Sequence, residues 1–90
     1  MKGATFIAYK GGIRMQSINV LLDTVEKVKN LVAILSPIEG EFDLVSDRYV
    51  VDAKSIMGIF SLNISKPLRL DIHDEAAAQK VLPLLEEYKA

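Results

Sequence analysis

Asp52-Ala53-Lys54-Ser55-Ile56-Met57-Gly58-Ile59-Phe60-Ser61-Leu62 is the stretch on which the fold turns. Ser55 carries a hydroxyl that can cap a short helix running to about Leu62. Ile56, Met57, Ile59 and Phe60 then crowd into barely more than one turn. A helix this short cannot bury all of them beneath a sheet. Ile59 and Leu62 are kept for packing, and the rest of the cluster either forms a docking surface or merely covers an edge of the sheet. A contiguous exposed apolar patch marks an interaction surface, and a methionine in it suits adaptable contacts.

Upstream, Phe42 and Leu44, then Tyr49, Val50 and Val51, form two short strands around a polar turn at Ser46-Asp47-Arg48. Before them, Val25, Val28, Leu31, Val32 and Leu35 recur at helical spacing, which predicts an amphipathic helix from Thr24 to about Leu35. Pro37 and Gly40 punctuate its end. Asp23 and Thr24 supply capping oxygens, and Glu26, three residues after Asp23, completes a capping-box pattern. Gln16 to Leu22 reads as the first strand, with Ile18, Val20 and Leu22 on one face.

Downstream, Asn63 to Pro67 is a loop. Leu68, Leu70 and Ile72 alternate with Arg69 and Asp71, the pattern of a strand buried on one face. Asp74 and Glu75 open a last helix whose inner face is Ala78, Val81, Leu82, Leu85 and Tyr88. Pro83 within it predicts a kink or break. The order β-α-β-β-α-β-α favours an α+β open-faced sandwich: a four-stranded, mostly antiparallel sheet with its helices on one face.

Ninety residues make one domain. With 50% apolar and 26% charged residues the chain reads as a soluble globule, not a disordered tail. A net charge of -1 predicts no direct nucleic-acid binding and no pull toward anionic membranes. The absence of cysteine excludes disulfides, thiolate metal sites and cysteine nucleophiles. No apolar run is long enough for membrane insertion, and Met1 onward lacks a secretory signal pattern, so the expectation is a cytoplasmic protein. One histidine and scattered carboxylates give no metal set, and no glycine-rich loop cradles a nucleotide. No cofactor and no enzyme activity are expected.

The Lys54-Ser55-Ile56-Met57-Gly58-Ile59-Phe60-Ser61-Leu62 segment resembles the regulatory-serine segment of HPr, the small phosphocarrier of the bacterial sugar phosphotransferase system. The likeness is specific over Asp52 to Leu62 and extends in layout from Met15 to Ala90. It implies the open-faced sandwich reached above. It also implies that Ser55 is the serine phosphorylated by the HPr kinase/phosphorylase, in the manner of a catabolite-repression signal. By the same resemblance Ile56, Met57 and Phe60, with Lys54 beside them, dock partners: phosphotransferase-system or transcriptional-regulator proteins.

The carrier half of the family pattern does not match. In HPr proteins a histidine opens the first helix, inside a Gly-(Leu/Ile)-His-Ala-Arg-Pro segment, where free amides and the helix dipole hold a phosphoryl group. Counted back without gaps from Ser55, that histidine falls on Thr24 and the arginine on Glu26, with Asp23 alongside. A threonine phosphoester is stable and not transferable, and Glu26 repels a phosphoryl group. Placing Gly12-Ile13-Arg14 at the motif instead needs an insertion of about ten residues before Ser55, which a compact domain tolerates poorly, and still brings no histidine. His73, the single histidine, ends a strand, where an exposed or capping role is the simpler reading. The expectation is an HPr-like regulatory or interaction protein without phosphocarrier activity. A pure scaffold with Ser55 as a helix cap is the alternative, and a conventional carrier the third reading.

Residues 1–14 fit the family layout poorly. Lys10-Gly11-Gly12-Ile13-Arg14-Met15 can be encoded by a purine-rich stretch equivalent to a ribosome-binding site before an ATG. The favoured expectation is an N-terminal extension arising from a misplaced start codon, with residues 15–90 as the domain. The competing reading is a hairpin: Thr5 to Tyr9, a Gly11-Gly12 turn, and Ile13 to Leu21 as the return strand.

Overall fold

Leu68, Leu70 and Ile72 alternate with two charged residues, and in the computed structural model their strand is the centre of the sheet. The structure describes Thr5–Ala8 and residues 14–90, with side chains from Met15 onward. The elements are β1 (Thr5–Ala8), β2 (Arg14–Val20), α1 (Val25–Leu35), β3 (Phe42–Ser46), β4 (Tyr49–Asp52), α2 (Ile56–Phe60), β5 (Leu68–Ile72) and α3 (Glu75–Val81). A 3-10 helix, Leu82–Tyr88, follows α3. The sheet order is β1-β2-β5-β3-β4, antiparallel throughout. Strands β2, β5, β3 and β4 are the four expected. β1 adds a fifth, pairing Thr5–Ala8 with residues 14–17, the pairing described by the hairpin reading. The Gly11-Gly12 turn of that reading lies outside the described residues.

Register explains the core. Leu70 lies opposite Ile18 on one side and Leu44 on the other, and Leu44 lies opposite Val51. Directly opposed residues share a face, so this row, with Val20, Leu68, Phe42 and Ile72, forms one apolar surface. Val28, Leu31 and Leu35 of α1, Ile59 of α2, Ala77, Ala78 and Val81 of α3, and Leu85 and Tyr88 of the 3-10 helix close over it. The helices thus occupy one face, as the α+β reading has it.

Local chemistry sets the element ends. Thr24, Ser55 and Asp74 cap their helices, accepting from the amides of Lys27, Gly58 and Ala76. The capping box does not form: Thr24 is the cap, the residue three on is Lys27, and Glu26 sits in the first turn with only the dipole to favour it. Gly40 holds φ +130, and a Cβ there would stand 3.1 Å from the Ala77 Cβ, so both backbone and space require glycine. Asp47, with φ +53, takes the left-handed position of the two-residue β3–β4 turn. Pro83 has no N–H for a bond back to the Gln79 carbonyl, and at this point the α-helix gives way to 3-10 geometry.

The outer edge of β2 is shared. β1 pairs with its first half, while Ala90 N donates to the Asn19 carbonyl and Leu21 N to that of Tyr88. The C-terminus thereby ties down the short connection from β2 into α1.

Two expectations about faces are corrected. Val25, counted on the inner face of α1, is 53% exposed: it is the first residue of the helix, and the sealed face begins one turn on, at Val28. Asp71 does face away from the helices, yet it is only 5% exposed. Ser17 Oγ donates to its Oδ1 at 2.7 Å, and Arg69 folds over it through Nε at 2.8 Å and Nη2 at 3.1 Å. The carboxylate leaves water fully hydrogen-bonded, which makes its burial tolerable.

Leu70→Ala removes a central member of the four-strand apolar row. Urea unfolding is expected to show a loss of about 2–5 kcal/mol, the range for large-to-small changes in a sealed core.

Candidate functional site

Two helix N-termini hold the residues singled out in the sequence. At α1, only Leu21, Leu22 and Asp23 separate β2 from the Thr24 cap. Thr24 Oγ1 accepts from Lys27 N at 3.1 Å, and Asp23 Oδ1 takes the Lys27 ammonium at 3.0 Å. Thr24 and Glu26 are exposed. The hydrogen bond from Lys27 holds the Asp23 carboxyl below its ordinary value of 3.8. Lys27 is thus committed to Asp23, and Glu26 leaves the corner net negative. The free amides of a helix start are present, but an incoming phosphoryl group meets carboxylates rather than an arginine.

At α2, Ser55 is half-buried and its Oγ accepts from Gly58 N at 3.1 Å. Its own amide donates to the Asp52 carbonyl. Gly58 lets the helix lie close on β4, since a Cβ there would come 3.2 Å from that of Val51. Ile59 is sealed and Leu62 is 8% exposed, whereas Ile56 is 37%, Phe60 40% and Met57 83% exposed. The division into packing and surface residues follows that drawn from the sequence. Exposed Val25 adds an apolar residue at the other helix start.

Lys54 behaves differently from the other residues assigned to docking. Its ammonium donates to the Ile38 carbonyl at 2.7 Å and lies 5.4 Å from the Phe42 ring centroid. It clips the entry of α2 to the loop after α1. The cleft it borders, about 410 Å³, is lined also by Glu41, Asp43 and Asp52, a setting unsuited to phosphate.

His73 stands at the opposite end of the sheet from the α1 start, since Ile72 pairs with Gln16 while Val20, which leads to Thr24, pairs with Leu68. It follows β5, and its Nε2 lies 2.8 Å from Asp43 Oδ2. This cross-strand pair was not foreseen. Its only signal in the sequence is the β3–β5 register, which places Asp43 opposite Asp71, two residues before His73. Among the described residues no group of three or more His, Cys, Asp or Glu is placed to hold a metal. No helix among them is long and apolar enough to cross a membrane.

The four-stranded core sheet in the order β2-β5-β3-β4, with its helices on one face, defines an open-faced α+β sandwich of the HPr type. Among solved structures, HPr-C-His from Thermoanaerobacter tengcongensis is similar at TM-score 0.64 and 23% identity, over 79% of this chain and 91% of that one. A phosphocarrier protein HPr from Bacillus anthracis str. Ames is similar at TM-score 0.67 and 21% identity, over 83% of this chain and 98% of that one. At these identities the likeness shows the fold. No protein-family model and no curated protein matches the sequence.

The two helix starts give separate predictions. In an NMR titration the Asp23 carboxyl is expected to titrate below 3.8, and Lys27→Met to return it toward that value. Because the folded value is depressed, the pair's stabilisation is present above the unfolded value and is lost as pH falls through the folded one. At α2, Ile59→Ala should cost about 2–5 kcal/mol in urea unfolding. Met57→Ala should stay within about 0.5 kcal/mol of the parent.

Proposed function

We propose that this chain is an HPr-like regulatory protein of the bacterial sugar phosphotransferase network that acts by docking, without carrying a phosphoryl group on histidine. The observation that carries the reading is the contrast between the two helix starts. The α1 start presents Thr24 between Asp23 and Glu26, with the only histidine elsewhere on the sheet. The α2 start presents Ser55 directly ahead of the exposed Ile56, Met57 and Phe60.

A phosphate on Ser55 can take over the present cap. The Ile56 and Met57 amides are the unpaired first donors that every helix start offers, and Gly58 N already points at the serine oxygen. The added charge would stand beside an otherwise apolar docking surface and so change which partners it accepts. With Lys54 engaged at Ile38, that charge stays available to a basic group on the partner. The reading is of a non-enzymatic, cytoplasmic protein whose partners are phosphotransferase-system or transcriptional-regulator proteins, with an HPr serine kinase as the modifying enzyme. The Ser55–Gly58 bond equally favours the second reading, a constitutive interaction scaffold in which Ser55 only caps.

Intact mass after incubation with HPr kinase/phosphorylase and ATP separates the two. A single acid-stable phosphate that is absent from Ser55→Ala is the expected result. No addition, with an ordinary HPr modified in the same tube, would leave the scaffold reading. An acid-labile adduct formed from phosphoenolpyruvate and enzyme I would overturn both.

A further inference from the structure

Strand β4 ends the sheet, and among the described residues nothing pairs with its outer edge. The two-residue turn and the Ala53 N to Phe42 O bond at 2.8 Å fix which groups point where. Tyr49, Val51 and Ala53 bond inward to β3, so Val50 and Asp52 turn their amides outward. Val50 therefore offers both N–H and C=O to solvent. Tyr49 and Val50 are 63% and 61% exposed. Tyr49–Asp52 carries no proline, lysine or bulge, and its edge is protected only by its four-residue length and the charge of Asp52.

The flanking charges say what fits there. Arg48 is exposed and has no ion-pair partner among the described residues. Asp52 is exposed and uses one carboxylate oxygen, on Lys54 N at 2.9 Å. Reversed about Val50, Arg48-Tyr49-Val50-Val51-Asp52 is complementary to itself. Val50 meets Val50, Tyr49 meets Val51, and Arg48 meets Asp52 twice.

We propose that the β4 edge pairs antiparallel with the β4 edge of a second copy about a twofold axis at Val50, making one continuous sheet. The central Val50 pair exchanges two backbone hydrogen bonds, as an outward-facing residue on the axis must. Each Arg48 reaches Asp52 of the other copy on the same sheet face. An unrelated strand could gain the backbone bonds but not both ion pairs, and parallel pairing would lose the opposition of charges. The contact is short, well below the roughly 1,200 Å² of a standard stable interface, so the dimer is weak and concentration-dependent.

Sedimentation velocity from about 10 µM to about 1 mM tests this. The parent chain should move from monomer to dimer across that range. Arg48→Glu reverses both ion pairs and should weaken the dimer about tenfold or more. Asp52→Lys should do the same, yet an equimolar mixture of the two variants should dimerise, since the mixed pair has both charges matched again. Val50→Pro deletes the outward N–H while leaving the inward ladder, and should abolish the dimer with little change in thermal unfolding. Arg48→Glu and Val50→Pro decide the matter even if loss of the Asp52 bond to Lys54 N unfolds the lysine variant. A parent chain monomeric at 1 mM, or a dimer indifferent to these changes, overturns the proposal.

Discussion

Everything in this structure hangs from β5, a five-residue strand paired antiparallel on both sides. Its strict alternation forces Leu68, Leu70 and Ile72 to one face and Arg69 and Asp71 to the other. A one-residue slip would drive both charges into the helices and the leucines into solvent, so the register admits no alternative. The rest follows by propagation. Ile18 and Leu44 align on Leu70, the helices close over that row, and β2 and β4 then deliver the chain to the starts of α1 and α2. The two candidate sites are therefore placed by residues that take no part in either.

What was legible in the sequence was legible because its cause is local. The Ser55 cap, the break at Pro83, the turn around Asp47 and the inner face of the last helix each depend on a few neighbouring residues. So does the separation of Ile59 from Met57, since a turn of helix over a strand has one inward direction. The misses have nonlocal causes. Val25 has the right period for the core, but its burial depends on which distant elements reach the first turn of α1, and there the sealed face begins only at Val28. Asp71 reads as a solvent-facing charge until Ser17 arrives from a strand 54 residues away and Arg69 folds back. Lys54 reads as part of the neighbouring docking patch, whereas its ammonium answers to a carbonyl 16 residues distant. The capping box failed for a smaller reason: two adjacent residues could cap, and the choice of Thr24 moved the third position from Glu26 to Lys27.

The α1 start shows why a fold of this type can persist when a chemistry once suited to it is absent. The structural requirement there is an oxygen that accepts from Lys27 N, and a threonine hydroxyl meets it. The chemical requirement for phosphoryl transfer is separate: a nucleophilic ring nitrogen and a nearby cation. Asp23 and Glu26 are compatible with the first requirement, through the helix dipole, and hostile to the second. Nothing in the core senses the difference, because Val28 is the first residue of α1 that is sealed. Similarity of fold to phosphocarriers therefore carries little information about this corner.

At α2 the two requirements coincide instead of separating. On the proposed reading, the hydroxyl that caps the helix is the group a kinase would modify, and the amides that the cap leaves unpaired are those that would receive a phosphate. Such a modification need not compete with folding: it replaces one acceptor at a helix start with a stronger one and leaves Ile59 in place. Its effect would fall outward, on Ile56, Met57 and Phe60, which contribute little to the core. A surface that holds its shape whether or not it is charged can change its partners without changing its fold. On the proposed reading, that property is what suits this end of the sandwich to regulation by docking.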